Sequence, residues 1–232
     1  MSEPHPLDNP ARASLLGAHR HLAERHGQAL RYHPDVSPLV ALPADPDESA
    51  WCDVADLLGP GAVLSVDGLT TPPPAGWEVV RDGDGVQLID AGVAAAHDPE
   101  AVRLGAGDVP EMLALVERTH PEPFLPRTIE MGTYLGIRRA GRLVAMAGER
   151  LQPPGWTEIS AVCTDVGYRR QGFATRLVHA VAASIRDRGD SPFLHAYALN
   201  TPAIRLYLAL GFRLRRRVEF LRVRVPAAES VA

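Results

Sequence analysis

Arg169, Arg170 and Gln171 stand directly ahead of Gly172, which opens residues 172–187, a run with helical periodicity. The first turn of a helix leaves backbone N–H groups without acceptors and carries positive partial charge. Glycine at that place removes the Cβ that would hold an anion away from the backbone. The two arginines add charge, and together these features suit a phosphate. The Gly-Lys-Ser/Thr ending of a nucleotide P-loop is absent, and so is the three-glycine dinucleotide pattern. A polar turn without a ligand has the same composition and is the competing reading.

The surrounding elements would have to position that turn. "WTEISAVCTD" reads as a strand before it, and Leu177, Val178, Val181 and Ile185 give the helix one apolar face, with Gly189 past its end. "PFLHAYAL" is the next strand. "NTPAIRLYLALG" is a helix with Asn200 or Thr201 as N-cap, Pro202 in its first turn and Gly211 as its stop. "FRLRRRVEFLRVRV" is extended, with an alternation that slips near Arg215 to Arg217, as at a bulge. Upstream, "AGDVPEMLALVERTH" reads as a helix capped by Asp108, with Met112, Leu113, Leu115 and Val116 on its apolar face. "TYLGIRRAGRLVAMAGERL" is a hairpin turning near Ala140-Gly141.

The first hundred residues form another pattern. "ARASLLGAHRHLAERHG" has helical spacing up to Gly27. Residues 29–42 look extended and are interrupted by Pro34 and Pro38. "DPDESAWCDVADLLGPG" is a short helix, "AVLSV" a strand, and "WEVVRDGDGVQLID" a hairpin around its Asp-Gly pairs. The expectation is an α/β chain with mixed sheet: a small N-terminal α/β domain at 1–98, and a second domain at 99–232 that carries the chemistry.

Composition narrows the chemistry. All 24 basic residues are arginine, so no Schiff-base or P-loop lysine is available. The net charge of -4 hides an asymmetry. Residues 1–100 hold 5 Arg against 16 acidic residues, while residues 101–232 hold 19 Arg against 12. A basic half favours an anionic ligand. Nucleic acid is not expected, because the arginines are scattered and few aromatics lie among them. The N-terminus is polar, no apolar run reaches the length of a membrane span, and the two cysteines have no metal-like spacing. A soluble cytoplasmic protein without a bound metal or membrane contact is expected. His19, His21 and His26 read as a solvated helix face.

"EISAVCTDVGYRRQGFATRLV" followed by "NTPAIRLYLALGF" resembles the GNAT superfamily of acyl-CoA N-acyltransferases. That family carries Arg/Gln-x-x-Gly-x-Gly/Ala at the start of its central helix, and Arg169, Gly172 and Ala174 match. Its later Asn…Leu-Tyr…Gly-Phe pattern is met by Asn200, Leu206-Tyr207 and Gly211-Phe212. The resemblance covers roughly residues 100–225. It looks most like the FR47-like branch, which has an extra N-terminal α/β segment.

The resemblance implies a GNAT fold with splayed central strands and acetyl-CoA as co-substrate. The CoA pyrophosphate would rest on the backbone of Arg170, Gln171, Gly172, Phe173, Ala174 and Thr175. The pantetheine arm would run beside Val162, Cys163 and Thr164 as an added strand, and Asn200 would touch it as well as cap its helix. Tyr207 would protonate the departing thiolate, a reasonable transfer from a phenol of pKa about 10 to a thiol of about 8.5; core packing is its plain alternative. Glu158 could take the proton of the amine, with Glu149 in reserve, or could simply face solvent. Attack through an acyl-Cys163 is not expected, because buried cysteine is usually inert. The implied activity is acetyl transfer to a primary amine, a small molecule or a peptide N-terminus, by direct attack. A catalytically inactive CoA-binding regulatory module is the alternative, and the sequence allows a homodimer.

Overall fold

Alternation of apolar residues builds two sheets here. The computed structural model describes residues 5–66, 68–81, 83–121 and 123–227. The first part of the chain forms α1 (Pro10–Leu16), β1 (Ala23–His26), β2 (Ala29–Tyr32), β3 (Leu39–Ala41), α2 (Glu48–Leu58), β4 (Val63–Val66) and β5 (Glu78–Arg81). Then follow β6 (Asp84–Asp90), β7 (Val102–Arg103), α3 (Val109–Thr119), β8 (Tyr134–Arg139), β9 (Arg142–Glu149) and β10 (Trp156–Thr164). The chain continues with α4 (Phe173–Asp187), β11 (Ser191–Tyr197), α5 (Thr201–Ala209), β12 (Phe212–Glu219) and β13 (Leu221–Arg224). One sheet has the order β1-β2-β3-β4-β13-β5 and the other β12-β6-β11-β10-β9-β8-β7. Among the described residues no helix is long and apolar enough to cross a membrane.

The second sheet is mixed. Its one parallel pair is β10 with β11, and its other neighbours run antiparallel. The amphipathic face expected on α4 is present: Leu177, Val178, Val181 and Ile185 are all buried in a core shared with β8, β9, β10 and α5. On the opposite face Met112 and Leu115 of α3 pack with Met146, Ala161 and Cys163. The β8–β9 hairpin turns at Ala140 and Gly141, with φ of 48° and 81°, as the Ala-Gly pair implied.

Two strands cross between the sheets. Residues 77–90 do not form the expected hairpin: β5 pairs with β13, whereas β6 inserts between β12 and β11. Val86 to Ile89 are buried in succession, so β6 is covered on both faces, a position that an edge hairpin cannot offer. In exchange, β13 leaves the second half and pairs with β4. The sheets therefore do not divide at residue 98. Leu7, Leu15 and Tyr32 share one apolar cluster with Ile89, Leu151 and Phe193, which joins the two sheets.

The lead-in helix is shorter than its periodicity suggests. α1 stops at Leu16, and residues 23–26 pair with β2 around Gly27, whose φ is 50°. An added Cβ at Gly27 would collide with the Asp53 carboxylate that accepts the Gln28 N–H. His19 is consequently not on a solvated helix face. It is buried, with Nδ1 2.8 Å from the Tyr32 hydroxyl and Nε2 3.0 Å from the Met131 carbonyl. A carbonyl only accepts, so Nε2 carries the proton and Nδ1 accepts from Tyr32.

Burial pushes the His19 pKa down from 6.5 to about 4. The unfolded chain then binds the extra proton first, so this group's contribution is complete above pH 6.5 and is lost as pH falls toward 4. At pH 5 it lowers stability by about 2 kcal/mol relative to pH 8. Urea midpoints measured between pH 4.5 and 7 should fall less steeply for His19→Gln than for the natural chain.

Candidate active site

The turn ahead of α4 is shaped by local bonds. Asp165 ends β10 by accepting the Gly167 N–H, and Arg169 ties the following turn to the Thr164 carbonyl through Nε at 3.4 Å. Arg170 and Gly172 have φ of 62° and 79°, so the chain enters α4 through left-handed backbone. Gly172 is the N-cap residue and has no capping side chain. Among the described residues no group accepts the backbone N–H of Arg170 through Thr175; the first helical bond runs from Arg176 to the Gly172 carbonyl. An added Cβ at Gly172 would meet nothing within 4 Å, so the space over these donors is open. Phe173 turns inward and is buried, under the guanidinium groups of Arg139 and Arg176.

A gap in the sheet faces this turn. β10 and β11 are paired only from Trp156 to Glu158 and from Ser191 to Phe193. Beyond Glu158 the two strands part. β10 keeps its pairing with β9, and β11 keeps its pairing with β6. The register of β10 slips between Ser160 and Cys163, and Ala161 sits at φ 53°. A bulge of this kind bends its strand away from a neighbour. The result is an open cleft of about 1540 Å³, mouth included.

Most of the sequence-selected residues meet there. Val162, Cys163 and Thr164 line one wall. Arg170, Gly172, Phe173, Ala174 and Thr175 line the end at α4, and Asn200 and Tyr207 approach from α5. Asn200 also caps α5, its Oδ1 accepting the Ala203 N–H at 3.3 Å. Tyr207 is buried edge-on against Phe212, so its packing role is real alongside its place on the cleft. Gln171 is exposed and does not line the cleft. Cys163 is buried, which pushes its thiol up to about 11 and keeps it protonated near neutral pH.

Glu158 is not placed as an open base. It is completely buried and does not face the cleft. Arg150 grips both its oxygens at 2.8 and 2.7 Å, and His195 Nδ1 lies 2.6 Å from Oε1. Burial opposes its charge, but Arg150 and then His195 win, holding the carboxyl below the usual carboxylate range. A group that ionises so easily is a poor proton acceptor near pH 7. His195 is occupied as well: with Nδ1–H donated to Glu158, its Nε2 accepts from the Gln87 amide at 3.0 Å. The reserve residue Glu149 is buried and bonded to Arg188 at 2.8 Å and to the Thr133 N–H at 3.1 Å. Sequence motifs did not reveal this cluster. Arg150 faces Glu158 only because β9 and β10 pair with Glu149 opposite Ile159.

The FR47-like protein family model matches residues 134–221. None of the curated proteins matches the chain at a significant level. Among solved structures, a protein from Novosphingobium aromaticivorans assigned to the GNAT family as an acetyltransferase is 39% identical. The match covers 97% of this chain and 100% of that one, with a TM-score of 0.87. This chain belongs to the GNAT family. A GCN5-related N-acetyltransferase from Kribbella flavida shares the fold, with a TM-score of 0.64 at 16% identity over 95% of each chain. The protein is thus a GNAT acetyltransferase, and such enzymes draw their acetyl group from acetyl-CoA.

The cleft fits that thioester. The free N–H groups and the open space over Gly172 suit a pyrophosphate. Between the parted strands, residues 159–164 and 194–197 leave facing edges without ladder partners, which suits the amides of a pantetheine arm. The Thr164 hydroxyl is buried with no partner among the described residues, a second polar group that a ligand would satisfy.

Proposed function

We propose that this GNAT protein transfers the acetyl group of acetyl-CoA to a primary amine by direct attack. The observation that carries the reading is the β10–β11 gap facing the uncapped first turn of α4. Backbone amides of residues 170–175 bind the pyrophosphate, and the edge at Val162, Cys163 and Thr164 aligns the pantetheine arm. The amine nitrogen attacks the thioester carbonyl while backbone N–H groups of the splayed strand polarise its oxygen. The C–N bond forms, the C–S bond breaks, and Tyr207 gives its proton to the leaving sulfur and regains one from water. The surplus amine proton leaves through the open cleft to water, since Glu158 and Glu149 already hold arginines. Much of the rate comes from holding two reactants in line. Direct attack is favoured over an acyl-cysteine because the Cys163 thiol stays protonated near neutral pH.

The test is a screen of amines with acetyl-CoA, following thiol release. In Tyr207→Phe, kcat should fall about a hundredfold while acetyl-CoA affinity is unchanged. If acetyl-CoA binds, no amine turns over and Tyr207→Phe alters nothing, the regulatory-module reading replaces this one.

A further inference from the structure

We infer that the acceptor is an amine bearing a carboxylate and a compact apolar side chain, a leucine-sized amino acid, bound in the pocket between the two sheets. The inference rests on the acetyl-transfer reading and narrows its substrate class. The pocket has about 780 Å³ of space, mouth included. Val36 and Leu39 form one side, and Met131, Phe220 and Leu221 contribute further apolar surface. Such walls favour a small hydrophobic body.

Its charged groups, among the described residues, are of one sign. Arg150 and Arg222 line the pocket, and no described lining residue is a carboxylate. Arg150 is neutralised by the bidentate grip of Glu158. Arg222 is exposed on β13, with Ser65 and Arg81 as its cross-strand partners. Two residues on, Arg224 has Glu78 at 2.9 Å; Arg222 has no carboxylate within ion-pair distance among the described residues. A guanidinium without a carboxylate among the described residues, beside a largely apolar pocket, complements an anion. A bare ammonium would meet the like charge of Arg222 there. An amino acid brings its own carboxylate to Arg222 and leaves its amine free to point inward.

The pocket also lies where that amine is needed. Arg150 in its wall grips Glu158, whose other side-chain partner, His195, lines the cleft. Tyr197 lines both cavities. Glu158 opposite Phe193 is the last pair before β10 and β11 part. Pocket and cleft therefore adjoin at the apex of the gap.

The experiment is calorimetric binding of L-leucine, L-leucinamide and 3-methylbutylamine to the full chain, with and without saturating CoA. Leucine should bind about tenfold or more tightly than either amine lacking the carboxylate. Arg222→Lys should keep part of that margin, and Arg222→Glu should reverse it; Arg222 is exposed, so both variants should fold. Equal affinities, a margin that survives Arg222→Glu, or no leucine binding at millimolar concentration would overturn the inference. Tight leucinamide binding would instead point to a peptide N-terminus and overturn it equally. Failure of the acetyl-transfer reading is distinct: CoA would not bind, or no amine would release thiol, whatever the order of ligand affinities.

Discussion

Gly172→Glu is expected to weaken acetyl-CoA binding about a thousandfold or more while the protein stays folded. The position is left-handed, at φ 79°, so any side chain there costs about 1 kcal/mol of backbone strain. It does not create a clash, because the added Cβ meets nothing within 4 Å. The damage is electrostatic. A carboxylate would stand over the N–H groups of Phe173, Ala174 and Thr175, taking the donors a pyrophosphate needs and repelling its charge. Charge-assisted hydrogen bonds contribute about 1.5–3 kcal/mol each, so losing two accounts for the expected factor. Gly172→Ala separates the causes, since it carries the same strain without the charge. Both variants should melt within a few degrees of each other, while titration with acetyl-CoA should show a large loss only for the glutamate. Unchanged affinity in Gly172→Glu removes the anion seat, and equal losses in both variants assign the effect to backbone geometry.

What could be read from the sequence was local. The α4 start, the β8–β9 turn and the α5 cap are each specified by a few adjacent residues, Gly172, Ala140-Gly141 and Asn200, whose backbone demands act over a few residues. The bulge near Arg215 was legible for the same reason and falls between Leu214 and Arg216. Strand partnership was not legible. The buried run at 85–89 reads alike in an edge hairpin and between two distant strands, and its partners β11 and β12 lie more than a hundred residues away. The α1 overestimate has a similar source, because residues 23–26 are pulled into β pairing that their helical spacing does not record. The cleft divides in the same way. Residues tied to one turn or one strand, such as Gly172 and Thr164, line the cleft, while the state of Glu158 depends on Arg150, just past β9, and on His195 of β11.

Glu158→Gln should destabilise the protein by about 3–5 kcal/mol, the range for breaking a buried ion pair. The amide keeps the shape but not the charge. It leaves the Arg150 guanidinium and the His195 Nδ1–H aimed at a neutral group inside the protein. For a chain of this length the loss corresponds to a melting temperature roughly 10 °C lower. The pH dependence carries the same signature. Arg150 and His195 hold the folded carboxyl below its ordinary value of 4.5, so its contribution is complete above that pH and fades as pH falls further. The gap in stability between the natural chain and Glu158→Gln should therefore stay constant from pH 8 to about 5.5 and narrow in acid. Replacing Arg150 by Met in the same chain should recover part of the loss, because the cation that Glu158 held is then gone. An open catalytic base would behave otherwise: its amide variant would keep the melting temperature, lose about a hundredfold in kcat and flatten the acid limb of the rate profile. That outcome would return Glu158 to the chemistry. Loss of stability that tracks the presence of Arg150 makes it the anchor that pins β9, β10 and β11 together where the cleft opens.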